Sequence, residues 1–235
     1  MDDLELIRIF AKARSPDAFA QIVARYVDLV FSCAKRRVHD VHLAEDVTQS
    51  VFLLLANKAD QLRDGTILAG WLYQAARNVS RDVMRKQQRR EKYERACARP
   101  DVMTPADATW DQISPLLEAG IDRLGDKERD AVLLRFFKGL TVQETAASLR
   151  IDDNAASKRI ARGLEKLREF LQSRGVTAPS SSALSATLSA KAIMQAPPAL
   201  LASAQKMSAL AMSARTAGLT MKLTAAGAVA VMAGG

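Results

Sequence analysis

Arg77, Arg81 and Arg85 stand four residues apart, and Gln88 and Lys92 continue the row. At about 100° per residue that spacing puts them on one helix face. Cations in such a row track a phosphate backbone. Trp71 and Tyr73 precede the row and Asn78 lies inside it. Aromatic rings stack on unpaired bases, and a side-chain amide reads their edges. The chemistry on offer is recognition of a polyanion. The plainer reading of such a charge run is a solvated face with both aromatics in the core, and Trp71 itself is expected there.

Nothing in the chain competes as a catalytic constellation. There is no phosphate-cradling glycine loop and no Ser/His/Asp arrangement, and the two histidines, His39 and His42, fall in one short connection. Cys33, His39 and His42 match no common zinc spacing. No metal and no cofactor is expected. Cys33 and Cys97 lie far apart and fit a reducing cytoplasm. The formal net charge of +8 favours a polyanionic partner.

A second helical pattern precedes the basic one. In AEDVTQSVFLLLANKA, the residues Ala44, Val47, Val51, Leu54 and Leu55 form a core stripe, while Asp46, Gln49 and Leu53 lie opposite with Phe52 at their edge. Apolar anchors ringed by polar groups suit a protein-binding patch. A helix buried all round accounts for the same pattern, and periodicity alone favours it.

Further on, LTVQETAASLRIDDNAASKRIARGLEKLREFL reads as two helices joined by a tight turn. Thr141 and Glu144 form a capping box, and Asp152 or Asp153 caps the second helix. Ala156, Ile160, Leu164, Leu167 and Leu171 make its buried stripe; Ala155, Lys158, Arg159, Arg162 and Lys166 point away. A short capped helix followed by one with a small-and-basic outer face describes a helix-turn-helix that enters a major groove. An antiparallel helical pair with a charged outer face is the alternative.

Taken in order, FAQIVARYVDLVFSCAKRRV, AEDVTQSVFLLL, GWLYQAARNVSRDVMRKQQRR and the helix-turn-helix resemble the bacterial sigma-70 family of RNA polymerase sigma factors, extracytoplasmic-function (ECF) type, over roughly residues 5–172. The resemblance implies a factor that binds core RNA polymerase and directs promoter recognition and melting, and that is not an enzyme. It implies that Asp46, Gln49, Phe52 and Leu53 dock on polymerase, which reverses the burial reading. It implies that residues 60–70 and Asn78 capture unpaired bases of the −10 element, that Arg77, Arg81 and Arg85 lie over the promoter strands, and that Lys158, Arg159 and Arg162 contact the −35 duplex. An anti-sigma factor is a further partner it suggests. Two departures stand out. Arg150 occupies the turn position where many members have Gly, and Gly163 stands in the recognition helix where Ala is usual.

The expected architecture is all-α: residues 1–95 as a first domain, 96–109 as a linker, 110–173 as a second domain, and 174–235 as an Ala/Ser-rich tail. The apolar pattern is helical nearly throughout, and no strand run is bounded by hairpin signals. Helices are expected at residues 4–13, from Ser15-Pro16-Asp17 to about Val38, near 110–124 and near 127–138, with residues 39–43 as a connection. The tail lacks acidic residues after Glu169 and holds Pro179, Pro197 and Pro198. Three readings of it stand open: a disordered extension, a helix on a membrane surface, and the beginning of a transmembrane helix. The factor is expected in the cytoplasm. A helix-turn-helix regulator acting without polymerase, and a membrane-linked adaptor with a sigma-like body, are the competing functions.

Overall fold

The computed structural model describes residues 2–13, 15–94, 108–176 and 180–203. Among these there are helices and turns and no strand. The chain divides into two compact units, Met1–Val83 with the residues from Met194, and Met84–Ile193.

The first unit is built on α2 (Pro16–Val38). Ser15 caps it by accepting the Ala18 N–H at 3.3 Å, and Pro16 fills a position whose N–H has no helical partner. His39 ends it in the left-handed conformation, φ 59°, with its N–H on the Lys35 carbonyl. Asp40 then caps α3 (Val41–Lys58) through the Leu43 N–H at 2.8 Å. The expected five-residue connection shrinks to residues 39 and 40, because Asp40 starts the helix early.

α1 (Asp3–Ala13) buries Leu4, Leu6, Ile7 and Phe10, and the Phe10 and Phe19 rings lie 4.7 Å apart. Asp3 ties α1 to α2: it accepts from Arg25 at 2.7 Å and from the Tyr26 hydroxyl. Burial, reinforced by the Asp3 charge, pushes the Tyr26 phenol above its ordinary range. A short 3-10 turn, Ala59–Gln61, leads to α4 (Leu68–Glu94). Three of the residues expected in the loop, Leu68, Ala69 and Gly70, are helical and buried.

In the second unit α5 (Ala108–Asp122) and α6 (Asp126–Val132) lead into a π turn, Leu133–Phe137. α7 (Val142–Leu149) and α8 (Asp153–Ser173) follow. The capping box forms as expected: the Glu144 N–H donates to Thr141 Oγ1 at 3.2 Å and the Thr141 N–H to Glu144 Oε2 at 2.8 Å. Asp152 caps α8 by accepting the Ala155 N–H at 2.8 Å. Arg150 takes the left-handed turn conformation, φ 54° and ψ 47°, that Gly adopts at least cost. Its N–H reaches the Ala146 and Ala147 carbonyls, so the turn closes with Arg in place. All five residues of the expected α8 stripe are buried.

Two glycines set the packing against α8. A Cβ on Gly120 would meet Leu167 Cδ1 at 2.3 Å, and one on Gly163 would meet Val132 Cγ2 at 2.6 Å. α5 and α6 therefore approach α8 more closely than a side chain at either position allows.

The tail expectation is corrected over its described part. α9 (Ser181–Lys191) packs on α8 through Leu184 and Leu188, and α10 (Pro198–Ala202) packs on α2 through Leu200. Leu184 and Leu188 are four residues apart and share a face. Pro198 stands in the first turn of α10, where proline does no harm. The remaining tail, residues 204–235, lies outside the described residues, as do the expected linker up to residue 107 and Cys97. No helix among the described residues is long and apolar enough to cross a membrane.

Candidate nucleic-acid and partner interfaces

On α4 an exposed strip runs along one side. Asn78, Arg81 and Arg85 are exposed, and Arg77 is half-buried with an Nη1–H on Gln74 Oε1 at 3.3 Å. Trp71, Asn78 and Arg85 are seven residues apart, so two helical turns separate each from the next along one line. Of the two aromatics, Tyr73 lies in the core, as one of the two readings has it, and Trp71, expected there, does not lie fully inside. Tyr73 is fully buried, and its hydroxyl accepts from Arg37 Nη2 at 2.9 Å. Trp71 is only half-buried and heads the Asn78–Arg85 line. Its seven-residue spacing to Asn78 is a sequence signal that could have marked it.

The turn before α4 is held by local bonding and by a tie to α1. Thr66 Oγ1 donates to the Arg63 carbonyl at 2.8 Å, Gly65 has φ 86°, and Asp64 pairs with Arg8 of α1.

On α3, Asp46 is exposed and Gln49 and Leu53 are half-buried. Their spacings of three and four place them on one strip. Partial desolvation by the neighbouring protein, with the Glu45 charge behind it, holds the Asp46 carboxyl above its ordinary value. Phe52 does not belong to this strip. It is fully buried, about 100° around the helix from Leu53, and serves the core of the unit. Leu54, expected in the core stripe, is half-buried; Thr48 and Phe52 take its place inside.

On α8, Lys158 and Arg162 are exposed and Arg159 is half-buried. Lys166 lies on the same helix but is engaged with Glu128 Oε1 at 2.8 Å. Ala155, at the start of the helix, is half-buried, whereas Ala156 belongs to the buried stripe. Among the described residues no group of three His, Cys, Asp or Glu side chains is arranged for a metal ion, and the buried Cys33 Sγ accepts from Arg37 Nε at 3.4 Å.

Arg159 has an acidic neighbour in α6. Burial pushes the Asp130 carboxyl up to about 6, against the attraction of Arg129 and Arg159 and with some repulsion from Asp126. This value lies above that of an unfolded chain, ~3.9. The stabilising contribution is therefore whole below the unfolded value and is lost as pH rises through about 6. Asp130→Asn should raise the urea midpoint of the second unit at pH 7 and flatten the fall in stability between about pH 4 and 6. An unchanged pH dependence would show that Asp130 titrates alike in both states.

The fold and these faces define an all-α DNA-binding protein with a helix-turn-helix in one unit and a basic, aromatic-headed helix associated with the other. The family follows from comparison with known proteins. Residues 22–90 match the family model Sigma-70 region 2, and residues 116–167 match Sigma-70, region 4. RNA polymerase sigma factor CarQ of Myxococcus xanthus is 36% identical over 160 residues, 66% of this chain and 90% of that protein. ECF RNA polymerase sigma factor SigW of Bacillus subtilis is 29% identical over 173 residues, 68% of this chain and 92% of that protein. A solved complex of the sigma factor RpoE with the anti-sigma factor NepR from Bartonella quintana aligns at 21% identity with a TM-score of 0.36, over 66% of this chain and 96% of that one. The chain belongs to the sigma-70 family of RNA polymerase sigma factors, ECF type. It is a transcription initiation factor and not an enzyme.

Proposed function

We propose that this sigma factor docks on core RNA polymerase through the α3 strip of Asp46, Gln49 and Leu53 and contacts promoter DNA at two places. Trp71, Asn78 and the turn at residues 62–67 take unpaired bases of the downstream element, with Arg77, Arg81 and Arg85 on the phosphates. Lys158, Arg159 and Arg162 take the upstream duplex. The observation that carries this reading is the difference between the two basic faces. The α4 face is headed by an aromatic and holds an exposed amide, as single strands require. The α8 face follows a capped turn and presents cations beside small residues, as a major groove requires. The work so described lies with the chromosome, in the cytoplasm, and an anti-sigma factor is a further partner of such a protein.

Run-off transcription with purified core polymerase and mapped start sites tests the whole reading. Promoter-specific transcripts are expected. Duplex binding without polymerase association would turn the assignment to a plain helix-turn-helix regulator.

Two substitutions separate the parts. Asp46→Ala with Leu53→Ala should weaken core-polymerase binding by ~1–2 kcal/mol, as truncation of interface anchors does, while the circular dichroism of the chain stays helical. Unchanged binding would remove the α3 strip from the interface. Asn78→Ala should leave binding to a double-stranded promoter fragment intact and slow the appearance of permanganate-reactive thymines about tenfold, because base capture follows unpairing. Equal loss of duplex binding would place Asn78 on the duplex.

A further inference from the structure

The side of α2 that carries Asp28 and Ser32 holds a stretch of the chain's own tail. Ser32 is fully buried. Its hydroxyl donates to the Met194 carbonyl at 3.1 Å and accepts the Met194 N–H at 2.7 Å. One turn earlier, Asp28 Oδ1 accepts the Ala196 N–H at 2.8 Å. Residues 193–197 have no regular secondary structure, so these bonds supply the partners that a helix or sheet would otherwise give.

The two spacings agree. Two residues of extended chain cover about 6.6 Å, and four residues of helix rise about 6 Å. An extended segment running antiparallel to α2 therefore presents alternate backbone groups to side chains spaced i, i+4. The recognition is mostly of backbone. Ala196 and Leu200 are the apolar anchors and are buried, whereas Gln195, Pro198, Ala199 and Leu201 are exposed. Pro197 and Pro198 restrict the segment before it binds, which lowers the entropy lost on docking. Neither family match includes this part of the chain.

We propose that the Asp28–Ser32 face of α2 is a peptide-docking site for a short apolar segment, and that its occupant is residues 194–200 of this chain, extended over 194–197 and helical from Pro198, bound in cis. The site needs neither polymerase nor DNA and so stands apart from the function proposed above. Its hold is shallow. Three hydrogen bonds and two apolar anchors work against the conformational entropy of seven ordered residues. The segment therefore exchanges between docked and released states. While it is docked, Ala196 and Leu200 are buried and withheld from any other surface.

Hydrogen exchange on the full chain tests the site. The Met194 and Ala196 amides should exchange at least tenfold more slowly than an unstructured peptide. Asp28→Ala with Ser32→Ala should return both to peptide-like rates while α3 keeps its protection. Asp28→Asn keeps an acceptor and should retain protection at Ala196. Peptide-like exchange of both amides in the unaltered chain overturns the proposal, as does unchanged protection in the double variant. Should Ser32→Ala disturb α2, the Asp28 pair decides alone: loss in Asp28→Ala with recovery in Asp28→Asn supports the site, and equal behaviour of the two overturns it.

Discussion

Replacing Lys158, Arg159 and Arg162 together by Ala lowers affinity for an upstream duplex fragment about a hundredfold, at ~1 kcal/mol or more per lost contact. The salt dependence identifies the kind of contact. Each phosphate that loses its cation makes the slope of log affinity against log salt shallower by about 0.9, so three lost contacts change it by between two and three. The fold survives, because Lys158 and Arg162 are exposed and the stripe that holds α8 lies opposite. Arg159 is half-buried and lies near enough to Asp130 to lower its pKa. Its removal should push the Asp130 carboxyl further up, which gives a second readout by titration. Fluorescence anisotropy across a salt series decides the matter. A hundredfold loss with an unchanged slope would mean that the three side chains read base edges. No loss would return the second unit to the antiparallel helical pair with a charged outer face.

The second unit was legible where its information is local. Thr141 and Glu144 are three residues apart, Asp152 adjoins the helix it caps, and the α8 stripe repeats within one helix. Each is a relation between near neighbours, and each stands in the structure as read. What stayed hidden depends on distant residues. The sequence leaves Tyr73 between two readings, and the partner that satisfies its buried hydroxyl, Arg37, stands 36 positions earlier. Phe52 sits at the edge of its helical face, where angular arithmetic leaves inside and outside undecided, and packing put it inside. The tail is the strongest case. Ala, Ser and proline content argued for a chain without fixed structure. The partners of its backbone are Asp28 and Ser32, more than 160 positions away, and composition carries no trace of them.

Gly163→Ala should destabilise the second unit by ~1–2 kcal/mol, although helix propensity argues the reverse. In an exposed helix the change from Gly to Ala gains ~1 kcal/mol. At this position the new Cβ would lie 2.6 Å from Val132 Cγ2 and 3.4 Å from the Glu128 carbonyl oxygen. Val132 is fully buried and branched at Cβ, so in a helix it has one favoured rotamer and no inexpensive way to turn aside. α6 must shift as a body, and overpacking of this kind costs ~1–3 kcal/mol, enough to cancel the propensity gain and reverse its sign. A shift of α6 also loosens the bond between Glu128 and Lys166. Urea denaturation should therefore show a lower midpoint at unchanged slope. A raised midpoint would mean that α6 yields freely and that Gly163 is a propensity defect after all. Val132→Ala in the same chain separates these cases. It removes the methyl group that the new Cβ strikes, so the double variant should be more stable than the sum of the two single losses, a coupling of ~0.5–3 kcal/mol expected for residues in contact.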